Sequence, residues 1–571
     1  MPDAAQSSTE ERSLARLLAA PRNAIAEVPI CWVVTAAEDG SAGQYYGVAM
    51  PANRARRRQE AKVDDEANHT TLRDANSDAS RNGGHVPRAQ DSIRSPRPIA
   101  GDRARLGGQA EAGAGRAAAE ARIGPTRRAA LLGGAAVVAA GALPAPSVHG
   151  QTTGGRLSVG FWDHWVPPAN EVMRRIVAEW GEKNHVEVQL DLITSVGNKL
   201  LLTVTSEAQA RRGHDVLTFG AWGVRDYSHL LEPVDEVMGR LVQQHGPANP
   251  TAEYLAKGEG GWRAVPATSG TQYKGSAARM DLMRQHAGID VQAMYPAEPR
   301  LGPDADQWTW ETFLTAARKC NAAGVPFALP AGTFTDATDW IGAMFRCFGA
   351  DLVDARGNIT VRGNDRVGQI LDYAARLFQH IPNEMFAADD ATNNRALIGG
   401  RSALIFNPPS AWAVAKRDAP QVAEQTWHFP SPKGPVGQFV PHQPLFWGIW
   451  SFSRAKPAAK ALLEHLSQRE QVAKMVAGSE GYDIPPFASL TDFDTWSTVG
   501  PPRGTVFNYP LRPHHGAMPS IACEPAPPEI GVRMYQQGVQ ARMIARLVQN
   551  KEPMDRVLAW AEREIEGFKR G

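Results

Sequence analysis

From Leu157 onward the chain alternates between short apolar runs and stretches with an apolar residue at every third or fourth position. Leu157-Ser158-Val159-Gly160-Phe161-Trp162 is an apolar run of strand length. Between Asn170 and Lys183, the residues Val172, Ile176, Val177 and Trp180 fall on one face of a helix. Val186 to Ile193 alternates apolar and polar positions, the period of a half-buried strand, whereas Asn198 to Arg211 returns to helical spacing and Asp215 to Phe219 reads as a third strand. Strands separated by helices of about 10–15 residues predict right-handed βαβ crossovers and a parallel sheet. Ligands of such sheets sit beyond the carboxyl ends of the strands. Here those ends are the loops Trp162 to Trp165, Thr194 to Asn198 and Gly220 to Trp222.

The first part of the chain has a different pattern. Residues 52–122 contain few large apolar residues and no sustained period, so ordering them would cost more entropy than their burial returns. Residues 1–124 are therefore expected to be a disordered leader. Arginine outnumbers lysine 48 to 13, the bias of a GC-rich coding sequence, in which chance open frames upstream of a true start run long. A mis-assigned start is one source of such a leader. Residues 125–150 follow with the anatomy of an export signal: Thr126-Arg127-Arg128, an apolar run from Ala129 to Leu143, and small residues before Gly150. The paired arginines resemble a twin-arginine signal. An apolar run of that length falls short of the ~20 residues needed to span a bilayer, which argues against the alternative of a membrane anchor.

Composition narrows the function. With 61 basic and 60 acidic residues the formal charge is +1, so no chain-wide field recruits nucleic acid. The four cysteines Cys31, Cys320, Cys347 and Cys523 show no metal-ligand spacing, and no metal or other cofactor is expected. Cys320 and Cys347 suit either a disulfide in an oxidising compartment or small buried hydrophobes. At 571 residues the chain is long enough for two to four domains.

The order of segments then carries a resemblance. LSVGFWDHW is followed by VEVQLDLIT, HDVLTFGAW and VDEVM; then come Trp308-Thr309-Trp310-Glu311, FGADLVDARGNITV, GGRSALIFNPPSAW, LFWGIWSFSRAKPAAKALLEHL and GYDIPPF. In this order, residues 156 to about 490 resemble the extracellular solute-binding proteins of ABC importers, in the cluster that includes maltose-binding protein. The resemblance implies an α/β, two-lobed periplasmic-binding-protein fold with a hinge of crossing strands and the ligand in the interlobe cleft. The first lobe would take residues 156–266 and 438–482, the second residues 267–437 and 483–571. It further implies a periplasmic, non-enzymatic monomer that captures a small polar solute, above all a carbohydrate, and delivers it to an ABC permease in the inner membrane.

Two departures stand out. Where family members often carry Tyr-Asn after the first crossover, this chain reads Gln272-Tyr273-Lys274-Gly275-Ser276. The Asn-Gly-Pro-Trp motif of the maltose binder is here Asn407-Pro408-Pro409-Ser410, with Trp412 two residues on.

Sugars present apolar C–H faces ringed by hydroxyls, so their sites combine aromatic platforms with carboxylates and amides. Trp162-Asp163-His164-Trp165 offers that mixture at the end of the first strand, although Asp163 also suits a helix cap. Trp222 follows the third strand and is the foremost platform candidate. Trp340 and Trp412 are candidates from the second lobe, with core packing as the alternative, and Trp447 and Trp450 lie in an apolar run that reads as core. The loops and the resemblance add Asn198, Tyr273, Asn407, Tyr482 and Asp483.

No catalytic residue is expected, since GxSxG, HExxH, a P-loop and GxGxxG before a helix are all missing. His514-His515 lacks an evident third metal ligand. Carboxylates such as Asp163 and Asp339 leave open a carbohydrate-active enzyme with a paired acid and base. A binder of a non-sugar, such as a polyamine or organic acid, is the other alternative.

Overall fold

The computed structural model describes residues 30–33, 46–49, 155–296, 298–500 and 512–570. The chain divides into two compact units, Met1–Ala135 and Ala136–Gly571. In the first, strands β1 (Ile30–Val33) and β2 (Tyr46–Ala49) pair antiparallel, with Ile30 opposite Ala49. The remainder of the expected leader and the signal-like segment 125–150 lie outside the described residues.

The second unit opens with the elements read from periodicity. β3 (Gly155–Trp162), α1 (Pro167–Asn184), β4 (Val186–Ile193), α2 (Lys199–Ala210) and β5 (Val216–Phe219) follow in order, and β3 pairs parallel with both β4 and β5. The inner strands β3 and β5 are almost continuously apolar where both faces are covered, whereas β4 lies at the sheet edge and alternates. α1 buries Met173, Ile176, Val177 and Trp180. It begins on Pro167 and Pro168, whose fixed φ and missing N–H suit a first helical turn. Its cap position is Val166, so Asp163 is not the cap; its Oδ1 instead accepts from the Asn170 side chain at 2.8 Å.

Next come β6 (Val265–Tyr273), β7 (Ser276–Arg279), α3 (Thr335–Phe348), α4 (Thr392–Ile398), β8 (Leu404–Phe406), α5 (Ser410–Asp418), β9 (Thr426–Phe429), β10 (Phe439–Ile449), α6 (Arg469–Gly478), β11 (Met518–Ser520) and α7 (Pro528–Gln536). A six-stranded sheet runs β11-β10-β5-β3-β4, with β6 also paired to β10. β10 enters antiparallel to β5, Phe446 facing Phe219, and so closes the parallel run from a distant part of the sequence. A separate three-stranded sheet, β8-β7-β9, is antiparallel throughout.

β6 and β10 slip register between Gln443 and Leu445. The irregularity is held by Thr271, whose hydroxyl accepts from Leu445 N at 3.0 Å and donates to Ala267 O at 2.6 Å. Gly270 sits here at φ +86°, and a Cβ on it would lie 2.7 Å from the Trp162 ring. Only glycine meets both demands.

Trp447 and Trp450 are core residues, as read from the sequence. Cys320, Cys347 and Cys523 are free and buried, so the disulfide alternative for Cys320 and Cys347 does not hold and packing does. Among the described residues, no helix is long and apolar enough to cross a membrane.

Candidate ligand-binding site

Beyond the carboxyl ends of β3, β4 and β5 lies a cavity of about 310 Å³. Part of the lining is aromatic and aliphatic: Trp162 at the end of β3 and Trp165 from the loop after it, Leu200 and Leu201 from α2, Phe219 and Trp222 at the end of β5. The polar part of the lining comes from Lys274 before β7, Asp336 and Thr338 on α3, Asp390 and Asn394 around α4, Asn407 after β8 and Ser410 at the start of α5. The parallel pairing of β3 with β4 and β5 brings the first group together, because it leaves all three carboxyl ends on one edge.

Six of the sequence candidates line the cavity: Trp162, Trp165, Asn198, Trp222, Asn407 and Tyr482. Their settings differ. Trp165 is half-buried, and Trp162 stacks on Tyr482 with ring centres 6.1 Å apart. Tyr482 Oη donates to Gln272 Oε1, whose own amide donates to Gln443 Oε1 at 3.0 Å. Trp222 is 1% exposed, and its Nε1 donates to Ala522 O at 3.1 Å, so its ring is fixed from behind. Gly531 of α7 packs directly on that ring, where a Cβ would come within 2.5 Å. Gly531→Ala should therefore cost about 1–3 kcal/mol of stability by overpacking, read as a lower denaturant midpoint at unchanged slope.

The other six candidates lie off the cavity wall. His164 and Asp483 form a buried pair, Nε2 to Oδ1 at 3.0 Å. Val166 N donates to His164 Nδ1 at 2.9 Å and Gly270 N to Asp483 Oδ1 at 2.8 Å, so the pair ties the loop after β3 to the β6 irregularity. Asp163 is engaged with Asn170. Tyr273 packs its ring on His442, 4.6 Å between centres. Burial pushes the Tyr273 phenol up to about 12 and holds the His442 imidazole down to about 3, so both stay neutral. Trp340 faces the core beneath α3 and donates to Pro330 O at 2.6 Å, because the inward face of that helix is apolar. Trp412 belongs to a small separate cluster with Ala415 and Val422, under the Lys416 ammonium.

The charged cluster is not among the sequence candidates for ligand binding, and of its carboxylates only Asp339 is named from the sequence, for an acid–base pair. Lys274 Nζ, buried, bonds Asp336 Oδ1 at 2.7 Å and Asp339 Oδ2 at 2.8 Å. Tyr535 donates its hydroxyl to Asp339 Oδ1 at 2.9 Å, and Asn393 its amide to Asp336 Oδ2 at 3.1 Å. Asp339 is thus fully engaged. Burial pushes its carboxyl above the usual range, opposed by Lys274. The carboxylates ionise Lys274 more firmly against its burial, and burial with the Asp336 charge pushes Asp390 up to about 7. The one available signal was Lys274 itself, a cation where the family pattern has an amide. Among the described residues, no group of three or more His, Cys, Asp or Glu could hold a metal.

The family model for bacterial extracellular solute-binding proteins matches residues 175–500. No curated protein shows significant similarity to the chain. Solved structures share the fold at low identity. Maltose-bound MalE3 of T. maritima aligns at 17% identity and a TM-score of 0.59, over 72% of this chain and 99% of that one. The GacH receptor of Streptomyces glaucescens, solved unliganded and with acarbose, aligns at 17% and 0.57, over 73% and 98%. A sugar transporter protein of Arthrobacter chlorophenolicus with bound laminaribiose aligns at 16% and 0.57, over 72% and 99%.

Proposed function

The chain belongs to the bacterial extracellular solute-binding protein family, and from that premise we propose that it captures a carbohydrate in the cavity at the strand ends and delivers it to an ABC permease. The observation that carries the ligand class is the make-up of the cavity. The aromatic rings of the lining match the C–H face of a sugar ring, and its amides, hydroxyls and carboxylates match the sugar hydroxyls in both hydrogen-bonding directions. The neighbours that hold maltose, acarbose and laminaribiose support the same class.

In this reading the cavity is the cleft between a lobe of residues 156–266 and 438–482 and one of residues 267–437 and 483–571. The crossing strands β6 and β10 are the hinge. Ligand stabilises the closed form by contacting both parts of the lining at once, and the permease recognises that form. The protein acts as an exported monomer, with the twin-arginine-like segment at 126–150 as its address.

A thermal-shift screen against maltose, laminaribiose, tagatose, mannitol and glucosamine tests the reading. A ligand at 100 times its Kd stabilises the folded state by about 2.7 kcal/mol, seen as a raised melting midpoint. Absence of any shift across neutral and aminated sugars would overturn it, as would turnover of a glycoside by the purified protein.

A further inference from the structure

The polar wall holds more negative charge than its one cation can balance. Asp336, Asp339 and Asp390 converge there, and Lys274 is the ammonium between them. Lys274 is committed to Asp336 and Asp339, whose remaining oxygens take the Asn393 amide and the Tyr535 hydroxyl. Asp390 stands apart. Its Oδ1 accepts only a backbone N–H, from Asp336 at 3.2 Å, and among the described residues no ion pair reaches it. The groups that face it are Asp336 and Asp339, which repel its ionised form, Lys274, already shared by those two, and the Tyr535 phenol. Asp390, Asp336 and Lys274 all border the cavity.

A solute that filled this cavity with hydroxyls alone would bring no counter-charge and would relieve the excess only by driving a proton onto Asp390. We propose that the solute carries a protonated amine, seated against Asp390 and Asp336 in a cavity that also presents aromatic rings, which makes it an amino sugar or a closely related polyhydroxylated amine. The inference rests on the solute-binding reading of this cavity and narrows its ligand. An ammonium supplies the second positive charge that the wall lacks, and its N–H groups fit carboxylate oxygens. The aromatic part of the lining accounts for the ring that bears it.

Protonation gives the inference a sign. The Asp390 carboxyl is raised to about 7 in the free protein, so near neutral pH a share of it holds a proton. An ammonium favours the ionised form, lowers that pKa and expels the proton on binding, so affinity falls as the pH drops through 7 and falls again on the alkaline side once the amine loses its own proton. A neutral sugar that accepts a hydrogen bond from protonated Asp390 shows the opposite trend.

The full chain is titrated with glucosamine and chitosan disaccharide, their N-acetylated counterparts, maltose, laminaribiose, putrescine and spermidine, each to about 10 mM, by thermal shift and calorimetry. The free-amine saccharides should raise the midpoint by about 2 °C or more while the N-acetylated and neutral sugars do not. Between about pH 7.5 and pH 5.5 the affinity of the amine should fall on the order of tenfold. Asp390→Asn should weaken it about 10- to 100-fold, the loss of one charge-assisted pair, without lowering the melting midpoint of the free protein. If neutral sugars bind and Asp390→Asn leaves their affinity unchanged, the amine is overturned and the carbohydrate reading stands. If putrescine or spermidine binds and no saccharide does, the carbohydrate reading fails and the amine stands. Failure of every amine to shift the midpoint overturns the inference outright.

Discussion

Lys274→Met should lower the unfolding free energy by about 3–5 kcal/mol at neutral pH, measured by denaturant unfolding, because it strands Asp336 and Asp339 without their counter-charge. Methionine keeps the volume of the aliphatic stem, so the loss reports charge rather than a cavity. The pH dependence separates the two causes. Stranded carboxyls take up protons in the folded protein before they do in the unfolded chain, so the deficit should shrink as the pH falls from 7 toward 5. A packing defect would not respond. Adding Asp339→Leu to Lys274→Met should restore part of the stability, since removing both partners costs less than removing one. A deficit under 1 kcal/mol, or one indifferent to pH, would contradict the arrangement.

Trp222→Ala carries the second large effect, and the structure changes what it reads. From the sequence, the ring is a platform whose truncation strips affinity from an otherwise intact lobe. In the fold it is 1% exposed, bonded to Ala522 O and set edge-on to Tyr254 with ring centres 5.7 Å apart. Truncation therefore opens a void and should cost about 3–5 kcal/mol of stability. Trp222→Phe separates the roles, because phenylalanine keeps most of the apolar face at the cavity while losing the hydrogen bond. Its stability should fall by about 1–2 kcal/mol with ligand affinity largely kept. Equal stability of Trp222→Ala and the parent protein would remove the ring from the core.

How much of this was legible depends on how local each signal is. The elements β3, α1, β4, α2 and β5 were readable to within about three residues, since period and burial coincide in them. The convergence of three strand ends on one edge followed from the parallel sheet that strand–helix alternation implies. β10 was readable only as an apolar run, because its place between β5 and β6 depends on pairings that no local pattern encodes. Among the tryptophans, core packing stayed open from the sequence for Trp165 and Trp340 alike, and only packing shows that one borders the cavity and the other points from α3 into the core. The charged wall was the least legible part. Asp336 and Asp339 stand one helical turn apart on α3, which places them together, but their cation comes from the crossover strand Gln272-Tyr273-Lys274. An i, i+3 acidic pair usually marks a solvated helix face.

The placement of β10 also fixes the order of events while the chain is being made. β5 emerges from the ribosome with β3 on one side, and its other edge waits for Phe446 to Ile449. Until then an apolar strand with unpaired N–H and C=O groups stands open to any partner. The first sheet cannot close during synthesis of the intervening residues, because closure needs a loop of more than two hundred residues, and such long-range pairing is slow. Nascent chains arrested before residue 439 should therefore be bound by chaperones and cut by proteases, and protection should arrive abruptly once β10 clears the exit tunnel.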